Sequence, residues 1–182
     1  MTPASGLSAE VVAFSYTYDR LRSASLPPSG RPPAILENGL NGTSRGIELA
    51  VAAQLAPFWR MTTTYTHQRI GFSLDTNVTE VNRSSAEGND PRHLFVMRHA
   101  LTAGVLEADL IARSVAALPL PAVPGYTELD ARVGVWLTPR LELALSGRDL
   151  LHDAHPEFAP SPSQLRRVEF ERTVRVQIGV RF

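Results

Sequence analysis

Apolar and polar residues alternate along the end of the chain, and this pattern constrains the fold more than any other sequence feature. Val174, Val176, Ile178 and Val180 share one face of an extended strand, and the residues between them are polar or glycine. A period of two residues is typical of a β-strand whose two faces meet different surroundings. We therefore expect the chain to end in a strand that is apolar on one side and polar on the other.

The same alternation recurs upstream, and no stretch shows a sustained helical period. We predict an all-β fold in which residues 1–182 belong to one domain and each segment pairs antiparallel with the next, because the links are too short or too irregular for crossover helices. The predicted segments cover about residues 10–19, 34–54, 59–73, 92–102, 106–116, 126–137, 141–150 and 173–182.

The links between these segments alternate in length. Those after the second, fourth and sixth segments are short, whereas the others are longer and rich in Pro, Ser and polar residues, around 21–33, 75–91, 119–124 and 152–166. Membrane barrels have short periplasmic turns and long extracellular loops. No apolar run is long enough for a transmembrane helix. The sequence therefore predicts an antiparallel meander of about eight transmembrane strands.

The residues that oppose the apolar positions carry much of the charge. In a wide barrel they would line a wet lumen, and in a soluble sheet they would be the solvated face. Burying such charges in a narrow interior costs several kcal/mol per ion, so we expect an open partial barrel whose first and last segments do not pair. Lateral ion pairs are expected among Asp130, Arg132, Glu142 and Arg175. The charged set comprises Glu48, Glu107, Asp109, Asp130, Arg132, Glu142, Arg148, Arg175 and Arg181.

Aromatic residues mark the ends of several segments. Phe58, Trp59, Trp136 and Phe182 lie where short turns would place a periplasmic girdle, although Trp136 falls on the polar parity of its segment. In the first segment, Val12, Phe14, Tyr16 and Tyr18 share a face.

The composition and motifs give no support to catalysis. The chain has no cysteine, which excludes disulfides and thiolate sites, and its 18 basic and 18 acidic residues leave no excess charge for nucleic acid. No Gly-x-Ser-x-Gly elbow or phosphate-binding loop is present. His152 and His155 lie in a Pro-rich loop, and His93 and His99 are too far apart along a strand to share one ion. We predict no catalytic, cofactor or metal residues and no enzyme activity, and leave the ligand-binding residues unassigned.

Several short motifs resemble, in order and spacing, the C-terminal barrel region of TonB-dependent outer-membrane receptors. They are Asn38-Gly39 followed by Arg45-Gly46-Ile47-Glu48-Leu49, Val123-Pro124-Gly125-Tyr126-Thr127-Glu128-Leu129-Asp130, Thr138-Pro139-Arg140-Leu141-Glu142-Leu143, Gly147-Arg148-Asp149-Leu150-Leu151, and the terminal Phe182. Two positions depart from the family pattern: Asp149 stands where Asn is usual, and Gln177 stands where the last strand usually has Gly.

The resemblance implies a receptor barrel that takes up a scarce, siderophore-like ligand across the cell outer membrane. It implies three partners: outer-membrane lipid, the barrel-assembly machinery through the last strand ending at Phe182, and N-terminal barrel strands with a plug. The plug is not found in residues 1–182, and residues 1–10 do not form a signal peptide, so a fragment is expected. Two alternatives stay open: a free-standing eight-stranded outer-membrane barrel with a structural or adhesive role, and a soluble β-sheet binding module.

Overall fold

The computed structural model describes residues 6–27, 33–75, 89–119, 122–158 and 168–182. In these residues eight longer strands form one sheet, and two pairs of two-residue strands lie beside it: β6 (Leu118–Pro119) with β7 (Ala122–Val123), and β10 (Ala154–His155) with β11 (Phe170–Glu171). The eight longer strands are β1 (Leu7–Ser25), β2 (Ile35–Ala56), β3 (Trp59–Leu74), β4 (His93–Ala103), β5 (Leu106–Val115), β8 (Tyr126–Thr138), β9 (Leu141–Arg148) and β12 (Thr173–Val180).

The large sheet is an open antiparallel meander. Its strand order is β1-β2-β3-β4-β5-β8-β9-β12, so each of these strands pairs with its neighbours in the chain, as the sequence predicts. Within the described residues no ladder joins β1 to β12, and the predicted open sheet is confirmed. The tight turn between β4 and β5 contains Gly104, whose φ of 60° suits a residue without a Cβ.

The registers assign every strand residue to one of two faces. One row across the sheet contains Val176, Leu145, Val133, Ala108 and Leu101, each paired with the next. Rows of this kind define what we call the apolar face, and the residues between them define the polar face. The charged positions that the sequence places together, from Glu48 to Arg181, all fall on the polar face.

The apolar face is largely uncovered. Val174, Val176 and Ile178 are 66%, 68% and 68% exposed, and Leu145 is 53% exposed. The buried apolar side chains of the described residues are few, namely Leu40, Ala53, Val123 and Ala144. The sheet therefore lacks an internal hydrophobic core, and its apolar face requires an apolar surrounding to be stable.

The first three strands are longer than the sequence pattern indicates, most of all β1. After Tyr18 the alternation of β1 is interrupted by a bulge, where the register shifts and Arg20 has a φ of 54°. The Arg20 backbone N–H donates to Asn41 Oδ1 at 3.1 Å, and pairing with β2 resumes at Leu21. The bulge hides the period of two, and for this reason the predicted segment ends at Asp19.

Among the described residues there is no helix long and apolar enough to cross a membrane.

Candidate functional site

The polar face is the candidate functional surface, because its charged and aromatic side chains form clusters although they do not belong to a hydrophobic core. The first cluster lies towards the short-turn end of the sheet, around Arg132 on β8. Arg132 pairs with Glu142 on β9 and lies 3.8 Å from a carboxylate oxygen of Glu107 on β5. The predicted lateral pair between Arg132 and Glu142 is therefore present.

Trp136 belongs to this cluster, which explains why it lies on the polar side of its strand. Its Nε1–H donates to Glu107 Oε1 at 3.0 Å, and Cζ of Arg181 lies 4.1 Å from the centroid of a Trp136 ring. The indole is therefore used as a hydrogen-bond donor and as a surface for a cation.

The other expected lateral pairs differ from the prediction. Asp130 pairs with Arg113, with 3.5 Å between the charged atoms. Arg113 was not among the residues expected to form lateral pairs. A further pair, Arg98 with Asp109 at 2.5 Å, was also missed. Arg175 makes no ion pair in the part of the chain that the structure describes. Arg98 and Arg113 lie on β4 and β5, where apolar side chains on both faces obscure the alternation.

The second cluster lies at the long-loop end of β5, β8 and β9, and we call it the rim cluster. It joins the strand ends to the loop that follows β9. Its members are Arg113, Tyr126, Glu128, Asp130, Asp149, His152, His155 and Glu157.

Glu128 anchors the loop to β8. Its side chain is fully buried, and its carboxylate accepts hydrogen bonds from the Leu151 backbone N–H at 3.0 Å and from His152 Nδ1 at 2.5 Å. His155 Nδ1 lies 3.3 Å from the same carboxylate. A buried carboxylate is stable only when it is paired in this way, so Glu128 and the loop hold each other in place.

Arg113 neutralises the remaining acidic groups of the rim cluster. Its guanidinium lies 2.6 Å from Asp149, 3.5 Å from Asp130 and 3.6 Å from Glu157. Its Cζ also lies 5.9 Å from the centre of the Tyr126 ring. One arginine thus faces three carboxylates that come from β8, from the end of β9 and from the loop.

The conformation of Asp149 gives a physical reason for the Gly147-Arg148-Asp149-Leu150 motif noted in the sequence. Asp149 has a φ of 54°, a conformation that Asn and Asp tolerate better than most other residues. In this conformation its backbone N–H donates to Asp130 Oδ1 at 3.0 Å, and the next N–H, of Leu150, donates to Leu129 O at 3.0 Å. The motif ends β9 and turns the chain into the rim cluster.

The histidines singled out in the sequence have structural contacts. His152 and His155 both face Glu128, and the His155 ring lies 4.4 Å from the Tyr126 ring. On the apolar face, His93 Nδ1 is 2.7 Å from the Tyr65 hydroxyl, and His99 Nδ1 accepts from Trp59 Nε1–H at 3.0 Å. In the described residues no group of three or more His, Asp or Glu side chains is arranged to hold a metal ion.

A row of aromatic rings on β1, which we call the aromatic ladder, also lies on the polar face. It consists of Phe14, Tyr16 and Tyr18, with ring centroids 5.5 and 6.3 Å apart. The pairing of Phe14 with Gly46 fixes this orientation, because Gly46 lies on the same face as Glu48. Tyr16 and Tyr18 are 54% and 44% exposed. The sequence shows that these rings share a face, but the register with β2 is needed to show which face it is.

Comparison with solved structures shows which proteins contain a sheet of this fold. No protein-family model matches the chain, and no curated protein matches it in sequence. In structure, the ferric-catecholate import receptor Fiu from Escherichia coli K12 matches 100% of the chain with a TM-score of 0.75 and 18% identity. The ferric yersiniabactin uptake receptor FyuA from Yersinia pestis matches 98% of it with a TM-score of 0.75 and 17% identity. The FrpB iron transporter from Neisseria meningitidis matches 98% with a TM-score of 0.73 and 13% identity.

The likeness is one of fold, and it covers a part of each receptor. The chain spans 26% of Fiu, 28% of FyuA and 30% of FrpB. The eight-stranded open sheet therefore has the fold of a partial β-barrel of outer-membrane import receptors. At the level of fold, this agrees with the resemblance found in the sequence motifs.

Proposed function

We propose that the chain forms the C-terminal part of the barrel of a TonB-dependent receptor, acting in ligand uptake across the bacterial outer membrane and not as an enzyme. The observation that carries the proposal is the division of one open sheet into an exposed apolar face and a charged polar face. The match of the whole chain to import receptors supports it.

The apolar face argues against the soluble alternative. On β12 alone, Val174, Val176, Ile178 and Val180 are all more than half exposed. A soluble sheet covers such a surface with a second layer, whereas a membrane barrel turns it to lipid. Contact with lipid would therefore explain why no other part of the described residues covers the apolar face.

The unpaired edges argue against the small free-standing barrel. β1 and β12 each have one neighbour in the sheet, so each has backbone donors and acceptors on its free side. Such groups are not tolerated in the hydrocarbon of a membrane. In the proposed receptor, further strands of the same barrel pair with both edges, and a plug fills the lumen beside the polar face. The last strand, which is followed by the fully exposed Phe182, is the segment that the barrel-assembly machinery would receive.

The proposed ligand class rests on the structural neighbours, which include a ferric-catecholate import receptor, a ferric yersiniabactin uptake receptor and a copper transporter. We propose a chelated metal or a similarly scarce nutrient for this chain as well. The polar face and the long-loop rim are the surfaces that such a solute would pass.

The test is a deletion of the gene in its host, followed by growth under iron limitation with single ferric siderophores and with radioactive iron uptake as the readout. We expect loss of uptake for at least one siderophore, restored by the wild-type gene and not by a gene carrying Ile178→Arg. Unchanged uptake by the deletion strain across the panel would refute the uptake role, provided that the parent strain contains the protein in its outer-membrane fraction.

A further inference from the structure

Two arginines face each other across β2 and β3 on the outward, apolar face. Arg45 and Arg69 are direct register partners, and both are exposed. Like charges placed opposite each other on neighbouring strands destabilise a sheet. Within the described residues neither arginine has an ion pair or a side-chain hydrogen bond, so the repulsion between them is not relieved by a carboxylate of the protein.

The rows around this pair contain no acidic residue that would neutralise it. Ser15 on β1 completes the row of the two arginines, and the next row outward contains Thr17, Thr43 and Gly71. The row beneath contains Ala13, Ile47, His67 and His93. A guanidinium pair in this setting is suited to an anion that presents several oxygen atoms, such as a phosphate group.

The depth of the pair follows from the side chains below it. The row that contains Leu49, Tyr65 and Phe95 is apolar and aromatic. The row above it contains His67 and His93, whose rings lie 4.6 Å apart. Aromatic and amphipathic rings mark the boundary between hydrocarbon and headgroups. Arg45 and Arg69 come one row further out on the long-loop side, which is the level of the headgroups in the proposed orientation.

His67 provides a second observation at the same place. Its Nδ1 atom is buried and has no hydrogen-bond partner. A buried polar nitrogen without a partner is uncommon in a folded protein and calls for one. His67 lies in the row directly beneath Arg69, two residues along the same strand, and its ring would turn to bring Nδ1 to a headgroup oxygen.

From these observations we infer that Arg45 and Arg69, with His67 beneath them, bind a phosphate group of an outer-leaflet lipid against the outside of the barrel wall. This inference rests on the proposed membrane orientation and adds a specific lipid contact to it. Two arginines at an anionic membrane surface together strengthen binding by about 30-fold.

The experiment measures the binding of added lipid to the complete receptor that contains this chain, after extraction in mild detergent and removal of native lipid. The receptor is incubated with lipid A or with dephosphorylated lipid A, and bound lipid is counted by native mass spectrometry. Wild type is compared with the double variant R45Q/R69Q and with R148Q/R175Q, which removes two exposed arginines from the polar face. Inorganic phosphate is added in a parallel arm as a competitor.

We expect wild type and R148Q/R175Q to retain lipid A in preference to the dephosphorylated form, and R45Q/R69Q to lose this preference. Free phosphate should displace little lipid, because the acyl chains also contact the apolar face. Equal retention of the two lipids by membrane-inserted wild type, or an equal loss in both double variants, would refute the lipid site alone. Protein found in the soluble fraction would refute both this site and the proposed function.

Discussion

The guanidinium of Arg181 lies over the ring of Trp136, with 4.1 Å between Cζ and the ring centroid. Arg181 follows the last strand, and Trp136 belongs to β8, on the far side of β9. A second bond holds the same end, since the Arg181 backbone N–H donates to Arg140 O at 2.9 Å. The end of the chain is therefore held by a side-chain contact with β8 as well as by backbone pairing with β9.

Trp136 donates a hydrogen bond to Glu107 and offers its ring to Arg181, and two substitutions distinguish these two roles. Trp136→Phe removes the N–H that donates to Glu107 and keeps a ring beneath Arg181, so we expect a loss of about 1.5 kcal/mol in unfolding free energy. Trp136→Leu also removes the cation–π contact and should cost about 0.5–1 kcal/mol more. Urea unfolding in lipid vesicles measures both. Equal stability of the two variants would show that the contact with Arg181 contributes nothing.

The two faces of β12 should respond differently to a charge. Ile178→Arg places a guanidinium on the apolar face and should cost about 2–4 kcal/mol if that face meets lipid near mid-membrane. Gln177→Arg, one residue away on the polar face, should change stability by less than about 0.5 kcal/mol. Ala144, which the alternation also places on the polar face, is an unsuitable control because it is only 4% exposed. Matching penalties at positions 177 and 178 would favour a soluble sheet.

Asp149 should tolerate Asn and reject a β-branched residue. Asp149→Asn keeps a side chain that accepts the φ of 54° and still offers an oxygen to Arg113, so we expect a loss below about 1 kcal/mol. Asp149→Val introduces strain of about 1–2 kcal/mol from the left-handed conformation alone, and it leaves Arg113 with one carboxylate fewer. Thermal unfolding in detergent compares the variants. A valine variant as stable as the asparagine variant would contradict the role given to the turn.

Two glycines on neighbouring strands should respond to alanine with opposite signs. A Cβ on Gly46 would collide with the Phe14 ring and with the His67 carbonyl oxygen, so Gly46→Ala should cost about 1–3 kcal/mol. A Cβ on Gly71 would meet Thr43 Oγ1 at an ordinary 3.7 Å. Gly71→Ala should therefore stabilise by about 0.4–1 kcal/mol through the unfolded chain. Unfolding curves in the same lipid check both, and a neutral Gly46→Ala would contradict the predicted collision with the ring and the carbonyl oxygen.

The sequence predicts the strand order and the two faces because both depend on local alternation and on link length. Along β9 and β12, every second residue is apolar, and the register follows the pattern without interruption. The bulge at Arg20 breaks the period, so the outer part of β1 was not predicted. The orientation of Phe14, Tyr16 and Tyr18 depends on the register with β2, which alternation within β1 does not determine.

The rim cluster was harder to predict because its contacts join residues far apart in the chain. Glu128 and His155 are separated by the whole of β9, and their approach depends on the turn at Asp149. Alternation marks Glu128 as a residue of the polar face, but it gives no sign that the loop after β9 folds back and buries it. His152 lies in an irregular segment, as predicted, whereas His155 lies in the two-residue strand β10. Their carboxylate partner, Glu128, was not predicted.

The strands differ in length, so one part of the sheet extends further along the strand direction than the other. β2 has 22 residues and β9 has 8, which correspond to about 73 Å and about 26 Å of extended chain. In the proposed orientation β1, β2 and β3 extend beyond the other strands on the long-loop side. In the proposed receptor, a bulky solute that descends from outside along β1 would pass Tyr18, then Tyr16, then Phe14, before it reached the depth of the ion pairs on β5, β8 and β9. The lengths of the strands, and not only the loops, would then set the order in which a solute meets aromatic rings and charges.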